Sequence, residues 1–322
     1  MRNRLLLPLV VAALVVAPGA LAQGWPSKPI KLIVPFSAGG PTDQLSRYVG
    51  QKLSVAMGQP VVVENVVGAG GVIGLERMAK STPDGYTLAT SASTLQAIAT
   101  HLGLIPYDTV KSFTPIGALA AFPYAVMVNA NSPLKSVADL VARAKAKPGE
   151  VSAATPGAGT GTHLAAVLLA QRSDVQFNTV QYKGAAPIIN DILGGHVDFT
   201  FEVIGSAMPL ISSGKAKTIG TTGTKRHPLL PNVPTVAETI PGFDFVGWFA
   251  LYGPPGLAPE ITRRLNTELN KIHDSAEFRQ YLETRGYQTL PGSAADLAAR
   301  QQAEFVKWGE VVKKLPAAAI GK

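Results

Sequence analysis

Lys31-Leu32-Ile33-Val34-Pro35-Phe36-Ser37-Ala38-Gly39-Gly40-Pro41-Thr42-Asp43 decides how the chain is read, because an apolar run gives way there to a glycine turn and then to helical spacing. Lys31 to Val34 reads as a buried strand, and Leu45, Tyr48, Val49 and Leu53 recur at helical intervals behind the turn. Small residues between a strand and a helix leave backbone N–H groups uncovered. The partial positive charge of the helix start then suits an anion such as a carboxylate. Taken alone, a single Gly-Gly pair is better read as a plain connection between two elements.

Outward from this turn the pattern repeats. Ile30 to Val34, Val61 to Glu64 and Tyr86 to Thr90 are β-rich, with helix patterns over Thr42 to Ser54 and Val72 to Lys80 between them. Such alternation predicts a parallel sheet with crossover helices, and ligands meet such a sheet at the carboxyl ends of its strands. Ser37 to Gly40, Gly68 to Gly71, and Ser91-Ala92-Ser93 fall on that edge. A second α/β unit follows, with strand patterns at Tyr124 to Asn129, Val180 to Tyr182, Val197 to Glu202 and Lys217 to Thr222. Within it, Thr155-Pro156-Gly157-Ala158-Gly159-Thr160-Gly161-Thr162-His163 repeats the opening motif ahead of a helix from about Leu164 to Gln171. Phe245 to Tyr252 reads as a further strand, and a last helix pattern runs from Ala294 to Lys314. Two lobes are expected, 23–124 with 248–322 forming the first and 125–247 the second. The strands at Phe122 to Val128 and Phe245 to Leu251 would serve as hinges.

The chain opens with a basic Met1-Arg2-Asn3-Arg4, an apolar run from Leu5 to Ala17, and Ala20-Leu21-Ala22 before Gln23. That order reads as an export signal cleaved after residue 22, its apolar run too short for a membrane span of about 20 residues. Loss of Arg2 and Arg4 reduces the 29 basic residues to 27 against 21 acidic ones, so the net charge falls from +8 to +6. No lysine- or arginine-rich run stands out, and a nucleic-acid partner is not expected. The absence of cysteine excludes disulfides and thiolate chemistry.

Catalytic readings fail on particular residues. Ser37 sits in a nucleophile-elbow-like run whose first position is Pro35 rather than glycine. Gly68 to Gly74 and Gly157 to Thr162 each miss the third glycine of a dinucleotide loop by one residue, and Gly214-Lys215 lacks the rest of a phosphate loop. His101, His163, His196, His227 and His273 form no metal-ligand pair, so neither metal nor cofactor is expected. What remains is a set of donors without a base: the hydroxyls of Ser91, Ser93, Thr155, Thr160 and Thr162, the glycine N–H groups, and the apolar face of Phe36. His163 reads as a ligand donor or as a cap for its helix. Asp43 most simply organises its own helix. Glu202 reads as an acceptor for a ligand amino or hydroxyl group, or as a surface residue.

In combination these motifs resemble the Bug, or TctC-type, periplasmic solute receptors of tripartite tricarboxylate transporters. The resemblance runs nearly end to end: Trp25 to Ile30, Val34 to Gly40 with Asp43, Gly58 to Asn65, Gly68 to Gly71 with Gly74, and Pro83 to Tyr86. It continues through Gly159 to Leu164, Tyr182-Lys183-Gly184, Leu193 to Gly195, Leu230 to Thr235, and Arg264-Leu265-Asn266. It implies the α/β fold of a type II periplasmic binding protein, two lobes joined by two hinge strands, and a monomeric receptor rather than an enzyme. It further implies that the two glycine turns grip a carboxylate from opposite sides, for delivery to membrane subunits. Phe36, Ser37, Gly39, Gly40, Thr42 and Asp43 match the first turn, and Thr155, Gly157, Gly159, Thr160, Gly161, Thr162 and His163 the second. Ser91, Ser93, Phe201 and Glu202 lie where family pockets vary with ligand. Two alternatives stay open: a periplasmic hydrolase using Ser37, and a receptor that feeds a sensor protein.

Overall fold

A computed structural model describes residues 24–157 and 159–313; the expected export signal lies outside them, as does Ala158 of the second turn. Strands and helices alternate from the start: β1 (Ile30–Val34), α1 (Pro41–Met57), β2 (Val61–Asn65), α2 (Val72–Ala79) and β3 (Thr87–Ala92), then a π-helical turn at Thr94–Ile98. β4 (Thr114–Asn129) precedes α3 (Val137–Ala146), β5 (Ser152–Thr155), α4 (Gly161–Ser173), β6 (Asn178–Gln181), α5 (Ala185–Gly194), β7 (Phe199–Val203), α6 (Ile204–Ser212) and β8 (Ala216–Thr221). After a short α7 (Val236–Thr239), β9 (Val246–Gly253) leads to α8 (Pro259–Asp274), α9 (Ala276–Glu283) and α10 (Ala294–Lys313).

The helices form for ordinary reasons. α1 buries Leu45, Val49 and Leu53 as one stripe and stops at Gly58, which takes the left-handed conformation with φ 67°. α3 starts where the Ser136 side chain accepts from the Asp139 N–H, and α7 carries a full capping box between Thr235 and Glu238.

β2, β1 and β3 pair in parallel, as the alternation predicts, and β9 runs antiparallel beside β3. The first part of β4, Thr114 to Pro123, pairs antiparallel with β9. From Tyr124 to Asn129 the same strand pairs antiparallel with β7 and β8, and β7 continues in parallel through β5 to β6. One strand of 16 residues therefore belongs to both sheets and joins the two lobes. The chain crosses back at the start of β9, where Gly247 lies so close to the Phe122 ring that a Cβ would overlap it.

β4 is longer than the expected Tyr124 to Asn129. Its first half is rich in proline, glycine and alanine, and its ladder to β9 shifts register at Pro115/Gly117 and at Ala118/Ala120. The pairing surface of β9, rather than local propensity, makes this stretch a strand. α10 packs on the first sheet through Gln301, which accepts from the Tyr252 hydroxyl at 3.1 Å, and through Glu304, which accepts from Trp248 Nε1 at 2.9 Å. Among the described residues no helix is long and apolar enough to cross a membrane.

Candidate ligand-binding cleft

β1 ends at Val34 inside the core, so the chain must turn out of the sheet and begin α1 between Pro35 and Gly40. Gly39 makes the turn with φ 79°, a region open to glycine, and donates its N–H to Asp43 Oδ2 at 2.8 Å. Arg47 Nε donates to the same oxygen at 3.0 Å. Asn65 Nδ2 donates both to Asp43 Oδ1 at 2.8 Å and to the Phe36 carbonyl at 3.0 Å. Burial acts to raise the Asp43 pKa, but these bonds from Arg47, Gly39 and Asn65 outweigh it and hold the carboxyl below its ordinary value. Gly40 caps α1 without a side chain, and the first N–H groups of α1, that of Thr42 included, have no acceptor within the helix.

The second loop reproduces this geometry with different chemistry. Gly159 has φ 77° and donates its N–H to Nδ1 of His163, four residues on, as Gly39 donates to Asp43. Thr160 caps α4: its hydroxyl accepts from the His163 N–H at 3.4 Å and donates to the Gly157 carbonyl at 2.7 Å. The two capping residues have nearly the same backbone angles, φ −73° and ψ 169° at Gly40, φ −71° and ψ 158° at Thr160. A carboxylate in one lobe and an imidazole in the other thus do the same work of holding a left-handed glycine ahead of a helix start.

Both helix starts open onto one cavity of about 480 Å³. Phe36, Pro41 and Thr42 line it from the first loop, and Pro156, Gly159, Thr160 and Gly161 from the second. Ala69-Gly70 and Ala92-Ser93-Thr94 add the other two turns of the first sheet's ligand edge. The floor is an aromatic cluster at the β4 crossing: Phe122 stacks on Phe249 with centroids 4.5 Å apart, and Tyr124 and Tyr287 flank it at 5.7 and 6.1 Å. The Tyr124 hydroxyl rests against Gly161, leaving no room there for a Cβ. Leu104 reaches across to the second lobe, where a Cβ on Gly159 would stand 2.9 Å from its Cδ1. Among the described residues that line the cavity none is charged.

Of the residues expected at the site, Phe36, Thr42, Ser93, Gly159, Thr160 and Gly161 line the cleft. Gly39, Gly40, Asp43, Gly157 and His163 build its two loops from behind, and Thr162 lies half-buried in the first turn of α4. Ser37 is exposed beside the cavity, and among the described residues its hydroxyl has no hydrogen bond to a histidine or carboxylate that would serve as a base. Ser91 is fully buried and accepts from Gln96 Nε2 at 3.0 Å. Thr155 is buried at the end of β5, its hydroxyl without a hydrogen-bond partner among the described residues.

Phe201 packs against Phe199 in the core, one pleat behind Val203, the residue of β7 that does line the cleft. The strand ends at Val203, not at the expected Glu202. Glu202 is half-buried at the end of β7: burial pushes its pKa up to about 7, against the opposing effect of hydrogen bonds from the Val203 N–H and Ser206. Tyr124, Phe249, Tyr287 and Leu104 were not expected in the pocket. The aromatic alternation in Phe122-Pro123-Tyr124 and in Phe245 to Phe249 is the signal that could have found two of these, Tyr124 and Phe249.

Two sheets sharing a strand, with a cleft between them entered by a helix start from each, define the two-lobed fold of periplasmic solute-binding proteins. Residues 45–316 match the family model for the tripartite tricarboxylate transporter family receptor, and the chain belongs to that family. It is 34% identical to Protein BugT of Bordetella pertussis over 310 residues, 95% of each chain. Its structure resembles that of Rpa4515 of Rhodopseudomonas palustris with adipate, at 32% identity and a TM-score of 0.80 over 92% of this chain and 98% of that one. It also resembles MatC of Rhodopseudomonas palustris with bound malate, at 28% identity and a TM-score of 0.78 over 89% and 100%. The family is one of solute-binding receptors rather than enzymes.

Proposed function

We propose that this chain is an exported, periplasmic and monomeric receptor that captures an organic carboxylate between its lobes and delivers it to the membrane subunits of a tripartite transporter. The observation that carries this reading is the pair of helix starts, α1 from the first sheet and α4 from the second, lining one cavity. Their free N–H groups and partial positive charge favour an anion, and an anion held by both draws the lobes together. Malate and adipate bound to relatives support the choice of a carboxylate. The first lobe comprises 23–124 with 248–322 and the second 125–247, the chain passing between them at Pro123-Tyr124 and again at the start of β9. Calorimetric titration against mono-, di- and tricarboxylates tests the proposal. Saturable binding of at least one class is expected, and none with any of them overturns it.

A further inference from the structure

We infer that Gly205 is a positioning residue that sets how far the cleft closes. Left bare, it lets the first turn of α6, in the second lobe, seat on the backbone of Arg285-Gly286, in the first. This rests on the reading of the cleft as a carboxylate site between two lobes and adds the contact that governs its closure. α9 is fixed to the first lobe, because Tyr48 of α1 stacks on Phe278 and Tyr281 with centroids 5.4 and 4.0 Å apart. The segment behind α9 is tied to the same lobe. The Arg285 guanidinium lies 3.9 Å over the Tyr281 ring, and Gln288 exchanges backbone hydrogen bonds of 2.8 and 2.9 Å with Ala121. α6 starts from the second sheet, its capping residue being Val203, which lines the cleft. The two lobes thus touch backbone to backbone at the cleft wall. A Cβ on Gly205 would overlap the Arg285 carbonyl, and a Cβ on Gly286 would stand 2.6 Å from the Gly205 nitrogen. Gly286 closes α9 with φ 66°, a conformation that itself calls for glycine. Gly205 has no left-handed φ and stands in a helix, where alanine is the better residue, so only the opposing carbonyl requires it to be bare. Tyr287, the next residue along the seated segment, enters the cleft edge-on to Phe249. Closure at Gly205 therefore also fixes where that ring meets the second lobe.

Gly205→Ala tests the inference, with malate, adipate and benzoate as probes. The chain has no cysteine, so spin labels on Val55→Cys of α1 and Lys145→Cys of α3, both exposed, report the distance between the lobes by pulsed electron spin resonance. Whichever probe binds the parent protein is expected to change that distance, and to bind Gly205→Ala at least about tenfold more weakly with a smaller change at saturation. Parental affinity and distance change in the variant overturn the inference while leaving the carboxylate reading intact. No binding of any probe to the parent overturns that reading and the inference with it. Gly286→Asn keeps the left-handed cap of α9, brings its Cβ against the same turn from the opposite side, and is expected to act alike. Loss of the fold in both variants, or a lower Tm without ligand while affinity and distance change stay parental, marks the contact as fixed packing and also overturns the inference.

Discussion

Gly40 caps α1 with ordinary extended angles, so its missing side chain is a matter of space rather than of backbone strain. A Cβ there would stand 3.3 Å from the Ser37 carbonyl oxygen, and a larger group would project beside the first free N–H groups of α1. Gly40→Val is therefore expected to keep the far-ultraviolet circular dichroism of the wild type and to lose at least about tenfold in ligand affinity. Wild-type affinity would return the stretch to a plain connection. Asp43 acts one step further back. Asp43→Asn gives up charge-assisted bonds to Arg47 and Gly39, and about 1–3 kcal/mol of stability at neutral pH is expected to go with them. Because the folded carboxyl titrates below its ordinary value, its contribution is present above that value and vanishes as the pH falls through the folded one. Denaturant melts of the variant and wild type should converge in acid. Glu202 has the opposite sign. The folded state keeps its proton to about pH 7 while the unfolded chain releases it near 4.5, so this residue lowers stability progressively between those values. Its ionisation also adds a negative charge that Tyr124 feels beside the proposed anion site. Affinity for an anionic ligand should thus fall as pH rises through 7, and Glu202→Gln should flatten the profile.

At the scale of elements, α4 depends on one hydroxyl. Thr160→Ala removes its cap and is expected to cost about 1 kcal/mol in a denaturant melt, and to weaken ligand binding as the loop loosens; Thr160→Ser should restore both. The elements themselves were legible where periodicity and punctuation agree. β1, α1, β2, α2 and β3 follow from apolar spacing and glycine turns, and both glycine loops at the cleft follow from glycine and hydroxyl residues ahead of a helix pattern. What was not legible depended on partners distant in sequence. Thr114 to Ala121 is a strand because β9 lies beside it, and α6 follows β7 directly although Pro209 sits inside it. Phe201 and Val203 share a face of β7, so only the true end of the strand says which of them reaches the cleft. Tyr124, Phe249 and Tyr287 meet because two sheets share β4, a tertiary fact that no local pattern encodes. The repeated motif carried further than its composition suggested, since Gly39 with Asp43 and Gly159 with His163 turned out to be one geometry built twice.

For the molecule as a whole, a ligand held by both lobes binds the closed, folded state and not the unfolded chain. At a concentration 100 times its Kd it should add about 2.7 kcal/mol of stability, read as a rise in Tm; a panel member that titrates but leaves Tm unmoved would not be a ligand of the folded cleft. β4 determines what happens next. Its hydrogen bonds to β9 lie on one side of Pro123-Tyr124 and those to β7 and β8 on the other, so torsion there and at the return into β9 would part the lobes with both ladders intact. Contacts between the lobes oppose parting, Leu104 on Gly159 and Gln171 Nε2 on the Val311 carbonyl among them, as does a ligand held by both. The residence time of a ligand held in the cleft is then a clock wound by those contacts.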